Sequence, residues 1–110
     1  MFRLNGHSNV VVESGETDSN PINTGDMAAA LMHVPAGFTG GTGATFLKSP
    51  TLDGTYGPVV DAEGVALAVT FAAGDVVPLP AELFMGGGYS KVKFGSSVSA
   101  RTEVVIAHSA

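Results

Sequence analysis

Apolar and polar positions alternate most clearly towards the C-terminus. At period two, Ser90, Val92 and Phe94 fall on one face and Tyr89, Lys91 and Lys93 on the other. Thr102, Val104 and Ile106 likewise oppose Arg101, Glu103 and Val105. Two half-buried strands follow. Residues 95–100 between them open with glycine and hold a single apolar side chain, Val98, so the pattern predicts a hairpin loop joining an antiparallel pair. Residues 65–71 alternate just as regularly, with Val65, Leu67, Val69 and Phe71 opposite Ala66, Ala68 and Thr70. That predicts a strand along the whole stretch, with a reverse face small enough to let a neighbour lie close. The expected inter-sheet core is Leu67, Val69, Phe71, Val92, Phe94, Val104 and Ile106.

Upstream, Val10, Val11 and Val12 begin a first strand, and the polar residues 14–20 end it. Residues 21–24 start with proline, which suits a sheet edge. In residues 27–34 three alanines favour helix, but Pro35 biases Val34 towards an extended backbone, so residues 29–34 are predicted as a strand. Residues 35–43 form a glycine-rich connection. Asp53-Gly54 predicts a hairpin between residues 46–48 and 56–60, with a positive dihedral at Gly54, and residues 61–64 predict a second tight turn. Residues 76–79 read as extended. Residues 80–84 read as one helical turn with proline at its first position, ended by Gly86, Gly87 and Gly88. About seven or eight short strands with frequent turns predict an all-β fold, a single antiparallel β-sandwich of jelly-roll type. It is expected over residues 10–110, after an N-terminal arm of residues 1–9.

Size and charge narrow this further. A chain of 110 residues suffices for one domain with one core. Cysteine is absent, which removes disulfides, thiolate nucleophiles and cysteine zinc sites and suits a reducing compartment. Ten acidic against five basic residues give a formal charge of -5, the wrong sign for a chain that neutralises phosphates, so nucleic acid is not an expected partner. No apolar run reaches the length of a membrane span, and the first residues lack the apolar region of a signal peptide, so neither export nor a membrane is expected. With 45% hydrophobic and 14% charged residues, the chain has apolar surface to spare for a protein partner.

Chemistry is sparse. His7, His33 and His108 lack local ligand spacing for zinc, and Asp53, Asp61, Glu63 and Asp75 sit in turns, where carboxylates bond nearby amides. The loop of residues 61–64 is too poor in ligands for calcium. Residues 35–43 are followed by neither Gly-Lys-Ser/Thr nor a helix, as a phosphate loop would be. A nucleophile elbow is missing, and two tyrosines without tryptophan give little platform for a sugar ring. No cofactor, no metal and no enzymatic activity are expected.

Five stretches carry a resemblance: Val10 to Thr17, Pro35 to Gly40, the Phe46 strand with its Asp53-Gly54 turn, Leu79 to Phe84, and Tyr89 to Phe94. Together they resemble small β-sandwich virion proteins of tailed bacteriophages and prophages. Lys48 departs from the pattern, where an apolar residue is more usual, and suggests a strand near an edge. The resemblance implies a capsid decoration or cement protein that binds the major capsid protein on the outer surface of the shell. Its place would be the virion exterior, after assembly in the host cytoplasm. It also implies self-association, as a homotrimer by analogy with other decoration proteins. The runner-up is a tail or fibre module that binds a carbohydrate or protein receptor. Phe2 and Leu4 have the spacing of an arm added to a neighbour's sheet edge. Phe38, Gly40, Gly41 and Gly87, in the glycine-rich loops, are further expected contacts.

Overall fold

A computed structural model describes residues 5–109. Its strands are β1 (Asn5–Val12), β2 (Ile22–Asn23), β3 (Ala29–His33), β4 (Gly43–Ser49), β5 (Gly57–Pro58), β6 (Ala68–Thr70), β7 (Val76–Pro78), β8 (Tyr89–Phe94) and β9 (Thr102–Ser109). A single 3-10 turn, Ala81–Phe84, is the one helical element among the described residues. Two antiparallel sheets pack face to face, as an all-β sandwich requires. The first has the order β1-β9-β3-β7; the second has the order β2-β8-β4-β5, with β6 also on β4. Four pairings therefore nest inside one another: β1 with β9, β2 with β8, β3 with β7 and β4 with β6.

The two inner faces follow the alternation of the sequence. Val10, Val12, Met32, Val104 and Ile106 point inwards from the first sheet and Phe46, Val92 and Phe94 from the second. Of the seven expected core residues, six are buried, and Val69 packs partly buried against them. Phe38, Phe71 and Phe94 form an aromatic cluster at one end, with Phe38 and Phe94 edge to face at 4.9 Å.

Four expectations change. First, β8 and β9 are not a hairpin. Each lies in a different sheet, and residues 95–101 arch from one sheet to the other. Val98 makes the arch possible: it is buried, its N–H donates to Glu16 O at 3.0 Å, and its carbonyl accepts from Gly15 N at 2.8 Å. Second, the expected strand of residues 65–71 is broken: only residues 68–70 form a strand, β6, and Ala66 makes an isolated bridge to Val60. Val65 is 61% exposed because the turn at Asp61 captures its N–H through Oδ1 at 3.0 Å. Third, β1 begins at Asn5, so residues 5–9 of the expected arm are a strand paired with β9, where Gly6 and Ser8 sit against His108 and Ile106. Fourth, Gly54 has no positive dihedral. The strand pair β4 and β5 is present as expected, but glycine is needed at residue 54 for space: a Cβ there would lie 2.4 Å from the hydroxyls of Ser49 and Thr51.

β4 is also more central than Lys48 suggested, lying between β8 and the strands β5 and β6. The lysine stem continues the inward row of Ala44 and Phe46, and its ammonium emerges at the sandwich end to donate to the carbonyls of Leu83 and Met85. Partial burial lowers its pKa from the ordinary lysine value. Lys48 thereby ties the 3-10 turn to the second sheet.

Candidate interaction surface

Residues 1–4, and with them Phe2 and Leu4, lie outside the described residues. Phe38, Gly40 and Gly41 are brought together, but around the domain's own core. The Phe38 ring covers Gly40, where a Cβ would meet its Cζ at 2.3 Å. Gly41 adopts a φ of 95° beside Ser96, and Ser96 N donates to Gly40 O at 3.0 Å. These residues lock the connection 35–42 to the arch 95–101. Gly87 sits at the opposite end, between Gly86 and Gly88, all three with positive φ. Of these glycines Gly88 is the most confined, since a Cβ would come within 2.6 Å of Ser49 O.

A broader surface comes from the outward residues of the first sheet. The register aligns His7, Ala107, Leu31 and Pro78 across all four strands, and Asn9, Val105, His33 and Val76 in the next row. Leu31 is 43% and Val76 51% exposed, well above what a strand residue with a covered face would be. Alternation makes this face unavoidable: β3 and β7 carry apolar residues at odd and even positions alike, so one set faces the core and the other water. At the end where the chain enters β1, the surface dips into an open depression of about 420 Å³ lined by His7, Ala29, Leu31, Pro78, Ala107 and His108. His108 shares a 3.2 Å hydrogen bond with Ser8 Oγ.

Charge is limited to one end of this face. Glu103 is the one acidic residue inside a strand, at the far end beside Arg101, whose Nε lies 3.1 Å from Glu13 Oε1. The other carboxylates occupy connections, and two of them serve the backbone directly. Asp61 Oδ1 accepts from Glu63 N at 2.9 Å, and Asp75 Oδ2 accepts from Ala72 N at 2.8 Å. The outer face of the second sheet differs: it bears Lys91 and Lys93, and the Lys91 ammonium stands 4.6 Å from the Tyr56 ring centroid. The Tyr56 hydroxyl donates to Leu52 O at 2.8 Å, and burial, then Asp53 and Tyr89, raise its pKa.

Among the described residues, no group of three metal-binding side chains converges, and no helix is long and apolar enough to cross a membrane. The neutral sheet face was not singled out by sequence reasoning. Its signal was present in β3 and β7, whose outward positions carry Leu31, Val76 and Pro78 where a solvated sheet would carry polar residues. Comparison with family models, with curated proteins and with solved structures finds no match.

Proposed function

We propose that the chain is a structural virion protein of a tailed bacteriophage or prophage, a decoration protein that binds the outer surface of the major capsid shell and stabilises it. The observation that carries this reading is the outer face of the first sheet, where Leu31, Val76, Pro78 and Ala107 are outward apolar residues and charge is limited to one end. A surface of that kind suits contact with another protein surface over a broad area, where apolar burial supplies affinity and few charges must be desolvated. All carboxylates but Glu103, at one end of β9, lie in the connections, which leaves most of that approach unobstructed. The sequence resemblance supports the same reading. So does the nesting of the four strand pairs, which is what a long antiparallel hairpin produces when it is wound up as a jelly roll. Phe2 and Leu4 would extend the contact beyond the sandwich.

The test is to add the purified protein to capsids of its own phage that lack it, and to measure occupancy and resistance to heat. Saturable binding with raised heat resistance is expected. Leu31→Asp, which places a charge at the centre of the face, should reduce occupancy at least tenfold, and a chain lacking residues 1–4 should bind more weakly than the full chain. Capsids left undecorated, with binding to host cells instead, would replace this reading with that of a receptor-binding tail or fibre module.

A further inference from the structure

Over residues 5–9 the backbone of β1 offers an edge that no described residue covers. Which way its groups point follows from the ladders. Leu79 N donates to Ala30 O at 3.0 Å and Val34 N to Asp75 O at 2.9 Å, so even-numbered residues of β3 face β7 and odd-numbered ones face β9. Carried through the register, odd residues of β9 face β3 and even ones face β1. In β1, Gly6, Ser8, Val10 and Val12 therefore bond to β9, and Asn5, His7, Asn9 and Val11 direct their N–H and C=O groups outwards. Val11 bears this out, because its N–H donates to Asn20 Oδ1 and its carbonyl accepts from Asn20 N. Asn20 closes the edge at Val11. Among the described residues, nothing pairs with the outward groups of Asn5, His7 and Asn9.

The other sheet edges are blunted. Strands β2, β5 and β6 have 2, 2 and 3 residues. In β7 the outward positions are Val76 and Pro78, and proline has no N–H to offer. β1, with 8 residues, has neither proline nor charge. Over residues 5–9 this edge is open and neutral, and such an edge invites another strand.

We propose that β1 pairs with β1 of a second copy of the chain, antiparallel about a two-fold axis, so that the first sheets of two molecules join into one continuous sheet. The pairing is self-complementary: with His7 opposite its own copy, Asn5 meets Asn9 on both sides of the axis, and all three outward residues find backbone partners. Chains of net charge -5 would repel at most surfaces, but this segment brings no carboxylate to the contact. A head-to-tail ring would need a second edge of similar length, which the described strands do not offer, so edge pairing ends at two copies and does not produce the trimer expected by analogy. The joined sheet sets two apolar outer faces side by side. Because the pairing needs only the chain itself, it holds or fails independently of capsid binding.

Sedimentation velocity of the full chain over a concentration series tests it. An edge contact of this size belongs with small, reversible interfaces, so the mass should rise with concentration from one chain to two. His7→Pro removes an outward N–H that the fold does not use and should stay at one chain throughout, with circular dichroism and melting temperature unchanged. His7→Lys keeps the N–H but opposes two like charges at the axis. It serves where the proline variant does not fold, and should shift association at least tenfold towards one chain. A wild-type mass that stays at one chain at every concentration, a mass of three chains, or folded His7 variants that associate as the wild type does would each overturn the pairing.

Discussion

Phe94 and Gly40 define what single residues do here. Phe94 is 2% exposed and meets the rings of Phe38 and Phe71, so Phe94→Ala should destabilise by about 3 to 5 kcal/mol, read as a lowered denaturation midpoint. An unchanged midpoint would mean that the ring is not in the core. Gly40 acts through the same cluster. Its dihedrals are ordinary, and its requirement is the space under the Phe38 ring. Gly40→Ala should cost about 1 to 3 kcal/mol by overpacking, and most of that penalty should vanish in a Phe38→Ala background. Additive effects of the two substitutions would contradict the contact. Only one of these roles was legible: period two put Phe94 in the core, whereas the demand on Gly40 comes from a ring that the fold swings over it. Gly54 makes the same point, since Asp-Gly announced a turn correctly but space, not dihedral, is what the position requires.

At the scale of elements, the arch between β8 and β9 carries the clearest consequence. A hairpin loop would leave Val98 at the surface, where its loss would cost little. In the arch it fills the gap between the sheets at 1% exposure, so Val98→Ala should destabilise by about 2 kcal/mol in equilibrium unfolding. A change below about 0.5 kcal/mol, the range of ordinary surface substitutions, would restore the hairpin. Both strands were legible with their inward faces, because alternation is a property of each strand alone. Their partners were not, because two strands with buried faces satisfy the same pattern whether they lie in one sheet or across from each other. Residues 65–71 show the opposite limit: the alternation runs on into Val65, but the Asp61 turn takes that backbone for itself. Segment 16–20 was read only as a turn, yet it continues along β8, where Ser19 uses its N–H and hydroxyl to bond the two backbone groups of Val92.

At the scale of the whole described sandwich, its first and last strands pair with each other. Asn5 pairs with Ser109, and β9 stands between β1 and β3. Pairings of such long sequence separation must pay loop-closure entropy before any contact rewards it, so stopped-flow refolding should take roughly milliseconds to seconds, as all-β domains do. Microsecond relaxation would be inconsistent with this topology. Removing residues 102–110 should abolish folding, since it leaves both neighbours of β9 without their shared ladder; a cooperative melt in the truncated chain would contradict that.

Features encoded by neighbouring residues could be read directly from the chain: the all-β class, most strand positions, the inward faces of β8 and β9, and the turn at Asp61. Each depends on residues within a few positions of one another. Which strands pair, that Val98 lies buried between the two sheets, that Lys48 serves the 3-10 turn, and that His7 and Asn9 keep an open edge came from the packed fold. Those outcomes depend on segments up to a whole chain apart, and the choice among them is made by whichever arrangement buries both inner faces while leaving the fewest backbone groups unpaired.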